Sequence, residues 1–152
     1  MQKIPTISFN DLKNRNSDVL EFLTSTLENN GFFIINDHSI DKNLIEKVFS
    51  VAEDIFSLPY ETKYKYHIKG SNGARGYTPF GKETALGENV ADLKEFWHLG
   101  PELNSNFDPR IHKNINVDEL SDFNNHFNTL FDSLNLLGVK VLESIALVLD
   151  LP

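Results

Sequence analysis

The sequence has no cysteine, and this absence removes two classes of protein from consideration. Disulfide-stapled domains need cysteine pairs, and thiolate metal sites need cysteine ligands. Long hydrophobic runs are also absent, because the most apolar stretch, near the C-terminus, is interrupted by Glu143 and Ser144 and is too short to span a bilayer. The opening residues lack the apolar segment of a secretory signal. We therefore expect a cytoplasmic protein that does not bind membranes.

Positive charge is scarce as well. The 152 residues include 14 Lys and Arg against 22 Asp and Glu, which gives a net charge of −8. A protein that binds nucleic acid normally presents a basic face, whereas the lysines here are dispersed and only Lys63, Lys65 and Lys69 form a short run. No nucleic-acid partner is expected. The 12 Phe residues and the hydrophobic fraction of 40% are enough for the core of one domain.

A third absence concerns metal chemistry. Iron sites built from two histidines and one carboxylate usually show a His-x-Asp or His-x-Glu pair. In this sequence neither acid lies two places after any histidine, the histidines being His38, His67, His98, His112 and His126. A lone histidine is more often packed or hydrogen-bonded than a ligand, so we predict no metal ligand in this chain. Nucleotide-binding glycine motifs and hydrolase serine motifs are absent too.

Hydrophobic periodicity switches along the chain between the spacing of helices and the alternation of strands, which predicts a mixed α/β fold. In chain order we predict a strand over 4–9, a helix capped by Asn16 and Ser17, a buried strand over 32–35, a helix over 41–56, a short helix opened by Pro59, a strand within 92–99 and a helix over 118–149. The charged run 92–95 indicates an ion pair at the surface, where such pairs contribute little to stability.

The last predicted helix is the longest and carries the largest apolar surface. Its final turns are apolar on nearly every side, and its main stripe consists of Phe123, Phe127, Leu130, Leu134, Leu137, Val141, Ile145 and Val148. A helix of that kind is buried on more than one side, yet the other predicted elements are too few to cover it. We therefore divide the chain into an α/β region, residues 1–116, and a long helix, residues 117–152, that leads toward further protein.

The stretch 70–87 is rich in glycine and has no helical stripe, and long irregular loops of this kind are often functional. Within it, Arg75 has a planar fork of donors that suits a carboxylate. Tyr77 adds a phenol, and the neighbouring glycines let the backbone approach a ligand. The alternative is a structural loop in which Arg75 pairs with a nearby acid such as Glu83 or Glu88.

Several segments, in this order and spacing, resemble the N-terminal region of the isopenicillin N synthase-like iron(II)/2-oxoglutarate-dependent dioxygenases. They are Ile4-Pro5-Thr6-Ile7, the run from Gly31 to His38, Phe56-Ser57-Leu58-Pro59 with Glu61 and Lys63, Arg75-Gly76-Tyr77 with Gly81 and Glu83, and Asp92-Leu93-Lys94-Glu95. The resemblance covers essentially the whole chain. The closing run 142–152 is similar to the family helix that leads into the catalytic barrel.

The resemblance implies a mixed α/β module that packs on a double-stranded β-helix barrel, and this barrel would be the missing partner, in the same or a separate chain. Fe(II) and 2-oxoglutarate would bind to the barrel, so this chain would hold no cofactor, and His38 inherits no metal role. The full enzyme would couple oxidative decarboxylation of 2-oxoglutarate to hydroxylation, desaturation or cyclisation of a small molecule. Arg75 and Tyr77 would lie over its active site and bind the substrate.

Two other interpretations stay open. The chain could be a free-standing α/β binding module without catalysis, which holds a partner through the exposed long helix. It could also be a fragment with no function. An in-frame continuation that encodes a His-x-Asp pair and a later histidine would favour the oxygenase over both.

Overall fold

A computed structural model describes residues 3–84, 86–87, 89–103, 108 and 110–151. The described residues form short strands and helices in the order β1 (Thr6–Ser8), α1 (Phe9–Lys13), α2 (Ser17–Asn29), β2 (Ile34–Asn36), α3 (Lys42–Ser57), α4 (Tyr60–Tyr64), β3 (Gly76–Thr78), β4 (Phe96–His98) and α5 (Phe123–Val148). The predicted mixed α/β class is confirmed, with small sheets and no closed barrel in this part of the chain. Two compact units result, a terminal unit (residues 1–41 and 133–152) and a central unit (residues 42–132).

The terminal unit is organised by a two-stranded parallel sheet and by capped helices. β1 pairs with β2 in a register that places Ile7 beside Ile35. The side chain of Asn16 accepts a hydrogen bond from the Asp18 amide at 3.1 Å, which satisfies one of the free donors at the start of α2. The core contains Ile7, Leu12 and Leu23, with partly buried aliphatic side chains of α2 and α5 packed around them.

The central unit is organised around a cluster of buried aromatic and aliphatic side chains. The antiparallel pair β3 and β4 lies against α3 and α4, and the buried members of the cluster are Val51, Ile55, Tyr66, Tyr77, Val117 and Phe123. Trp97 packs edge-on against Phe123, with 5.1 Å between ring centroids, a geometry that aromatic pairs favour. This cluster fixes the inner side of the β3–β4 pair.

The helix predictions over 41–56 and from Asn16 onward are confirmed, whereas the buried strand predicted over 32–35 is wrong in part. The strand is Ile34–Asn36, and both Phe32 and Ile34 are exposed. A continuous apolar run is typical of a strand covered on both faces. A sheet of two strands has only one covered face here, so Ile35 packs into the core while its neighbour Ile34 points outward.

Helix α5 begins at Phe123, later than predicted, because residues 117–122 form turns and Asp122 adopts a positive φ of 59°. The predicted stripe is divided between the two units, since Phe123 and Phe127 belong to the central core and Val141, Ile145 and Val148 to the terminal core. The predicted division at residues 116 and 117 differs from the boundaries of the compact units and stays a prediction. No helix among the described residues has the length and apolarity needed to cross a membrane.

The terminal part of α5 is apolar on the side opposite its buried stripe. We call this surface the outer face of α5, and it consists of Leu136, Val139, Leu142 and Leu147, all substantially exposed. Helical spacing of 3.6 residues per turn separates most of them from Val141, Ile145 and Val148. Leu136 is 69% exposed and Leu142 is 64% exposed. The exposed pair of Lys140 and Glu143 lies on the same side of the helix. Several large exposed apolar side chains on one helix often mark an interaction site.

We therefore expect the purified chain to self-associate and to bind a hydrophobic dye through the outer face of α5. The double substitution Leu136→Gln with Leu142→Gln should reduce both effects, while the free energy of unfolding changes by no more than about 0.5 kcal/mol, as is usual for surface positions. Sedimentation velocity, dye fluorescence and urea unfolding measure these quantities. A wild-type chain that stays monomeric and does not bind the dye would contradict the prediction.

Candidate functional site

The antiparallel pairing of β3 and β4 creates two faces with different chemistry. Gly76 lies opposite His98, Tyr77 opposite Trp97 and Thr78 opposite Phe96. Side chains alternate along a strand and opposite residues share a face. Tyr77 and Trp97 accordingly pack into the core, whereas Thr78, Phe96 and His98 line a pocket. The sequence predicted site residues in this region, Arg75 and Tyr77. In the structure, the face that lines the pocket is the one that carries Thr78, Phe96 and His98.

The pocket has a volume of about 400 Å³, and we call it the β3–β4 pocket. The side chains that matter for its chemistry are His67, Lys69, Thr78, Lys82, Phe96 and His98. Thr78 is only 5% exposed, and its hydroxyl oxygen has no hydrogen-bond partner among the described residues. Leaving a buried hydroxyl without a partner is unfavourable. Its free hydroxyl marks this pocket as a place where a ligand can supply the missing partner.

The loop beside this pocket approaches β3 and β4 closely because Gly73 has no side chain. An added Cβ at Gly73 would lie 3.1 Å from the Phe96 ring and 3.1 Å from the Thr78 hydroxyl, and the residue has a φ of +77°. The Gly73 carbonyl also accepts a hydrogen bond from His98 Nδ1. Similarly, His67 Nδ1 donates to the Tyr77 carbonyl at 3.0 Å. Since a carbonyl only accepts, both imidazoles carry a proton on Nδ1, which leaves Nε2 as the second functional nitrogen.

On the inner face, a partly buried carboxylate, that of Glu95, joins three elements. The Lys63 ammonium lies 2.9 Å from both Glu95 oxygens and donates to the Phe56 carbonyl at 2.9 Å. The Tyr77 hydroxyl donates to the same Glu95 carboxylate. Burial, and then the neighbouring Glu95 carboxylate, raise the pKa of Tyr77 well above its usual range. The sequence run 92–95 indicated a surface ion pair, and Asp92 and Lys94 form one at 3.5 Å. Glu95 does not belong to it, because its partner Lys63 comes from α4.

Arg75 lies at the edge of the β3–β4 pair and does not line the pocket. Its Nη1 donates to the Ala74 carbonyl at 2.7 Å, and its buried Nε has no hydrogen-bond partner among the described residues. The guanidinium covers Gly100 so closely that an added Cβ there would overlap with Nη2. Among the same residues no carboxylate lies within ion-pair distance of Arg75. Glu83 pairs with Lys94 instead, at 2.5 Å, and Glu88 lies outside the described residues.

Tyr77, the second residue predicted to contact substrate, is 1% exposed and its hydroxyl is bound to Glu95. It has no surface to offer a ligand in this structure, and its contact with substrate stays a prediction. The pocket residues Thr78, Phe96 and His98 were not selected from the sequence. Strand alternation relative to Tyr77 could have identified Thr78, but the β3–β4 register is a long-range property that the local pattern does not contain.

No group of three or more His, Asp or Glu side chains among the described residues is placed to hold a metal ion. The chain therefore does not fit Fe(II) as its own resident metal in the part that the structure describes. Mononuclear iron sites of the expected type need two imidazoles and a carboxylate that converge on one point.

Comparisons with known proteins agree on one group of relatives. A family described as non-haem dioxygenase in morphine synthesis N-terminal matches residues 4–120. The chain is 27% identical to a 1-aminocyclopropane-1-carboxylate oxidase of Dictyostelium discoideum, with 100% of this chain and 44% of that protein covered. It is 30% identical to the proline hydroxylase buaE of Petromyces alliaceus, with 94% and 46% covered. The chain thus spans about half the length of the curated relatives it matches.

Solved structures show the same half-length match. The chain is 38% identical to a 2OG-Fe(II) oxygenase family protein from Caulobacter crescentus, with a TM-score of 0.83 and coverage of 99% of this chain and 50% of that one. A full-length Neurospora crassa protein, crystallised in complex with alpha-KG, is 25% identical, with a TM-score of 0.73 and coverage of 97% and 47%.

We expect the purified chain to bind no Fe(II) at a defined site, because no His-x-carboxylate pair exists in its sequence. Anaerobic calorimetric titration with Fe(II) measures this directly. A double variant, His67→Ala with His98→Ala, controls for loose binding to the two imidazoles beside the pocket. One-site binding with micromolar affinity that the double variant retains would contradict the prediction.

Because Glu95 balances the buried Lys63 ammonium, we expect two matched substitutions to have unequal effects on stability. Glu95→Gln removes the charge that balances Lys63, whose side chain is 9% exposed, and should destabilise the chain by about 3 to 5 kcal/mol. Glu83→Gln breaks the exposed pair with Lys94 and should have a much smaller effect. Urea unfolding of both variants gives the comparison. Equal loss of stability would show that the Glu95 pair is not the stronger constraint.

Proposed function

The chain belongs to the family of non-haem dioxygenases, whose N-terminal region it matches, and we propose that it contributes to the substrate pocket of a 2-oxoglutarate- and Fe(II)-dependent oxygenase that acts on a small molecule. The observation that carries this proposal is the β3–β4 pocket, an accessible cavity of about 400 Å³ with an unpartnered buried hydroxyl. Cavities of this size suit small ligands. In the assembled enzyme, Fe(II) and 2-oxoglutarate would activate dioxygen, which is the oxidant, and the residues of this chain would bind and orient the substrate.

We propose that the partner of this chain is a domain equivalent to the other half of its relatives, in the same or a separate chain. The outer face of α5 supports it, because Leu136, Leu142 and their neighbours offer an apolar surface that a second domain can cover. The half-length match supports it independently. That half would carry the iron ligands and the 2-oxoglutarate site. The rival, a free-standing binding module, would use the same surface without completing an oxygenase.

Arg75 is the residue of this chain that we propose as a direct substrate contact at the edge of the β3–β4 pair. Its Nε is buried without a partner, and its guanidinium has no carboxylate within ion-pair distance among the described residues. An arginine fork placed in this way can donate two parallel hydrogen bonds to an oxygen-rich group. Tyr77 would support it indirectly, because its bond to Glu95 fixes the strand that follows Arg75.

A chimaera tests the proposed function. This chain, joined to the C-terminal half of the Caulobacter crescentus oxygenase, should form succinate in a reaction that needs Fe(II) and 2-oxoglutarate, whereas the chain alone should form none above the blank. Relatives are named for 1-aminocyclopropane-1-carboxylate, proline and homoarginine, so these three compounds are the first to test as substrates. A folded chimaera without turnover, or turnover by the chain alone, would contradict the proposal.

In an active chimaera, Arg75→Ala should weaken substrate binding more than 2-oxoglutarate binding. Loss of a charged hydrogen bond costs about 1.5 to 3 kcal/mol, which corresponds to roughly a ten- to hundredfold higher apparent KM for the substrate. Arg110→Ala is the matched control, since Arg110 is exposed and pairs with Asp108. Steady-state kinetics in both substrates provide the two constants. A change confined to the 2-oxoglutarate constant would exclude Arg75 as a substrate residue.

A further inference from the structure

We propose that the β3–β4 pocket binds the acidic group of a small organic acid and therefore that the substrate is an acid. This rests on the proposed substrate-pocket function and adds the chemical class of the ligand. Three features of the pocket carry it: its uncompensated positive charge, its free buried hydroxyl and its aromatic wall.

The charge of the pocket opposes the charge of the whole chain. The chain has a net charge of −8, yet Lys69 and Lys82 line the pocket and neither has an ion pair among the described residues. Glu83, the acid in the lining, is already paired with Lys94 at 2.5 Å. A ligand in this pocket therefore meets two ammonium groups that have no ion pair among the described residues, and one carboxylate that shares the Lys94 ammonium with Asp92. Such a surface attracts an anion and disfavours a cation.

The Thr78 hydroxyl supplies the specific hydrogen bond. Its oxygen is buried and has no partner among the described residues. The neighbouring loop passes close to this oxygen, since a Cβ added at Gly73 would lie 3.1 Å from it. A hydroxyl can donate to a carboxylate oxygen, and charged acceptors form the stronger hydrogen bonds. An acid group near Thr78 and Lys82 would thus satisfy the buried hydroxyl and meet an unpaired ammonium.

The Phe96 ring supplies the wall for the rest of the ligand. The Lys94 ammonium lies 5.6 Å from the centroid of the Phe96 ring, and the centroid of the His98 ring lies 4.7 Å from the same point. These contacts fix the ring orientation, and its lining surface favours a flat or apolar ligand body. Benzoate combines such a body with one carboxylate, and benzamide has the same shape without the charge. The pair therefore isolates the contribution of the acid group.

The experiment is a titration of the isotope-labelled full chain, followed by backbone amide chemical shifts, with benzoate, benzamide and 2-oxoglutarate as separate probes. Benzoate should shift the amides of residues 67–73 and 96–98 and should bind at least about threefold more tightly than benzamide. Thr78→Val and Lys82→Gln should each weaken benzoate binding about three- to tenfold, the loss of one hydrogen bond. Lys47 is an exposed lysine of α3 that does not line the pocket, so Lys47→Gln should leave benzoate affinity unchanged.

Several results would overturn the assignment of an acid. Equal affinity for benzoate and benzamide, or no amide shift at the pocket residues, would do so. The same weakening of benzoate binding in Lys47→Gln would also do so. A preference for 2-oxoglutarate would make the pocket a cosubstrate site instead. Lys82 is exposed, so its variant tests the proposal even if Thr78→Val does not fold. An inactive chimaera together with selective benzoate binding would refute the oxygenase function but not the acidic ligand. An active chimaera without benzoate selectivity would refute the acidic ligand but not the oxygenase function.

Discussion

The Glu95 carboxylate is the constraint on which the central unit depends. It accepts from the Lys63 ammonium of α4 and from the Tyr77 hydroxyl of β3, and Lys63 in turn donates to the carbonyl of Phe56 at the end of α3. A buried charge is unfavourable unless each of its hydrogen-bonding positions has a partner. The three elements therefore cannot shift independently, because any displacement would leave an ammonium or a carboxylate unpaired. Hydrophobic packing of Tyr77, Trp97 and Phe123 fills the space around this network but does not by itself select the register.

The candidate site follows from that register. When Glu95 holds Tyr77 on the inner face, strand alternation places Thr78 on the outer face, and the antiparallel pairing brings Phe96 beside it. A shift of one residue would exchange the faces and place Thr78 in the hydrophobic core in place of Tyr77. The free hydroxyl, the aromatic wall and the lysines of the β3–β4 pocket thus depend on a charged interaction on the opposite side of the strands. Binding groups and stabilising groups alternate along the same short segment.

Local patterns in the sequence were sufficient for α2 and α3, but they missed α1 and β3 and placed the start of α5 too early. The apolar spacing of α3 and the Asn16 cap of α2 are contained within single segments, and both were predicted. The partners Lys63 and Glu95 are separated by 32 positions, so the sequence run around Glu95 suggested only a surface pair. Arg75 was chosen for its chemistry, and no carboxylate among the described residues lies within ion-pair distance of it. Its position at the strand edge, outside the pocket, depends on contacts with Gly100 that no local motif specifies.

On the function proposed above, substrate contacts and iron ligands would belong to different domains. The described residues offer hydrogen-bond donors and cations on the β3–β4 pair, but they bring no three metal-binding side chains together. A substrate pocket can be shared between two domains, because each contact contributes separately to binding. An iron site cannot be shared so easily, since its ligands must converge within bonding distance of one ion. The exposed leucines of α5 offer apolar surface that the proposed second domain would cover. A domain that binds substrate and docks through an apolar helix can change its pocket residues while the metal ligands stay fixed, so substrate specificity and oxidation chemistry can vary separately.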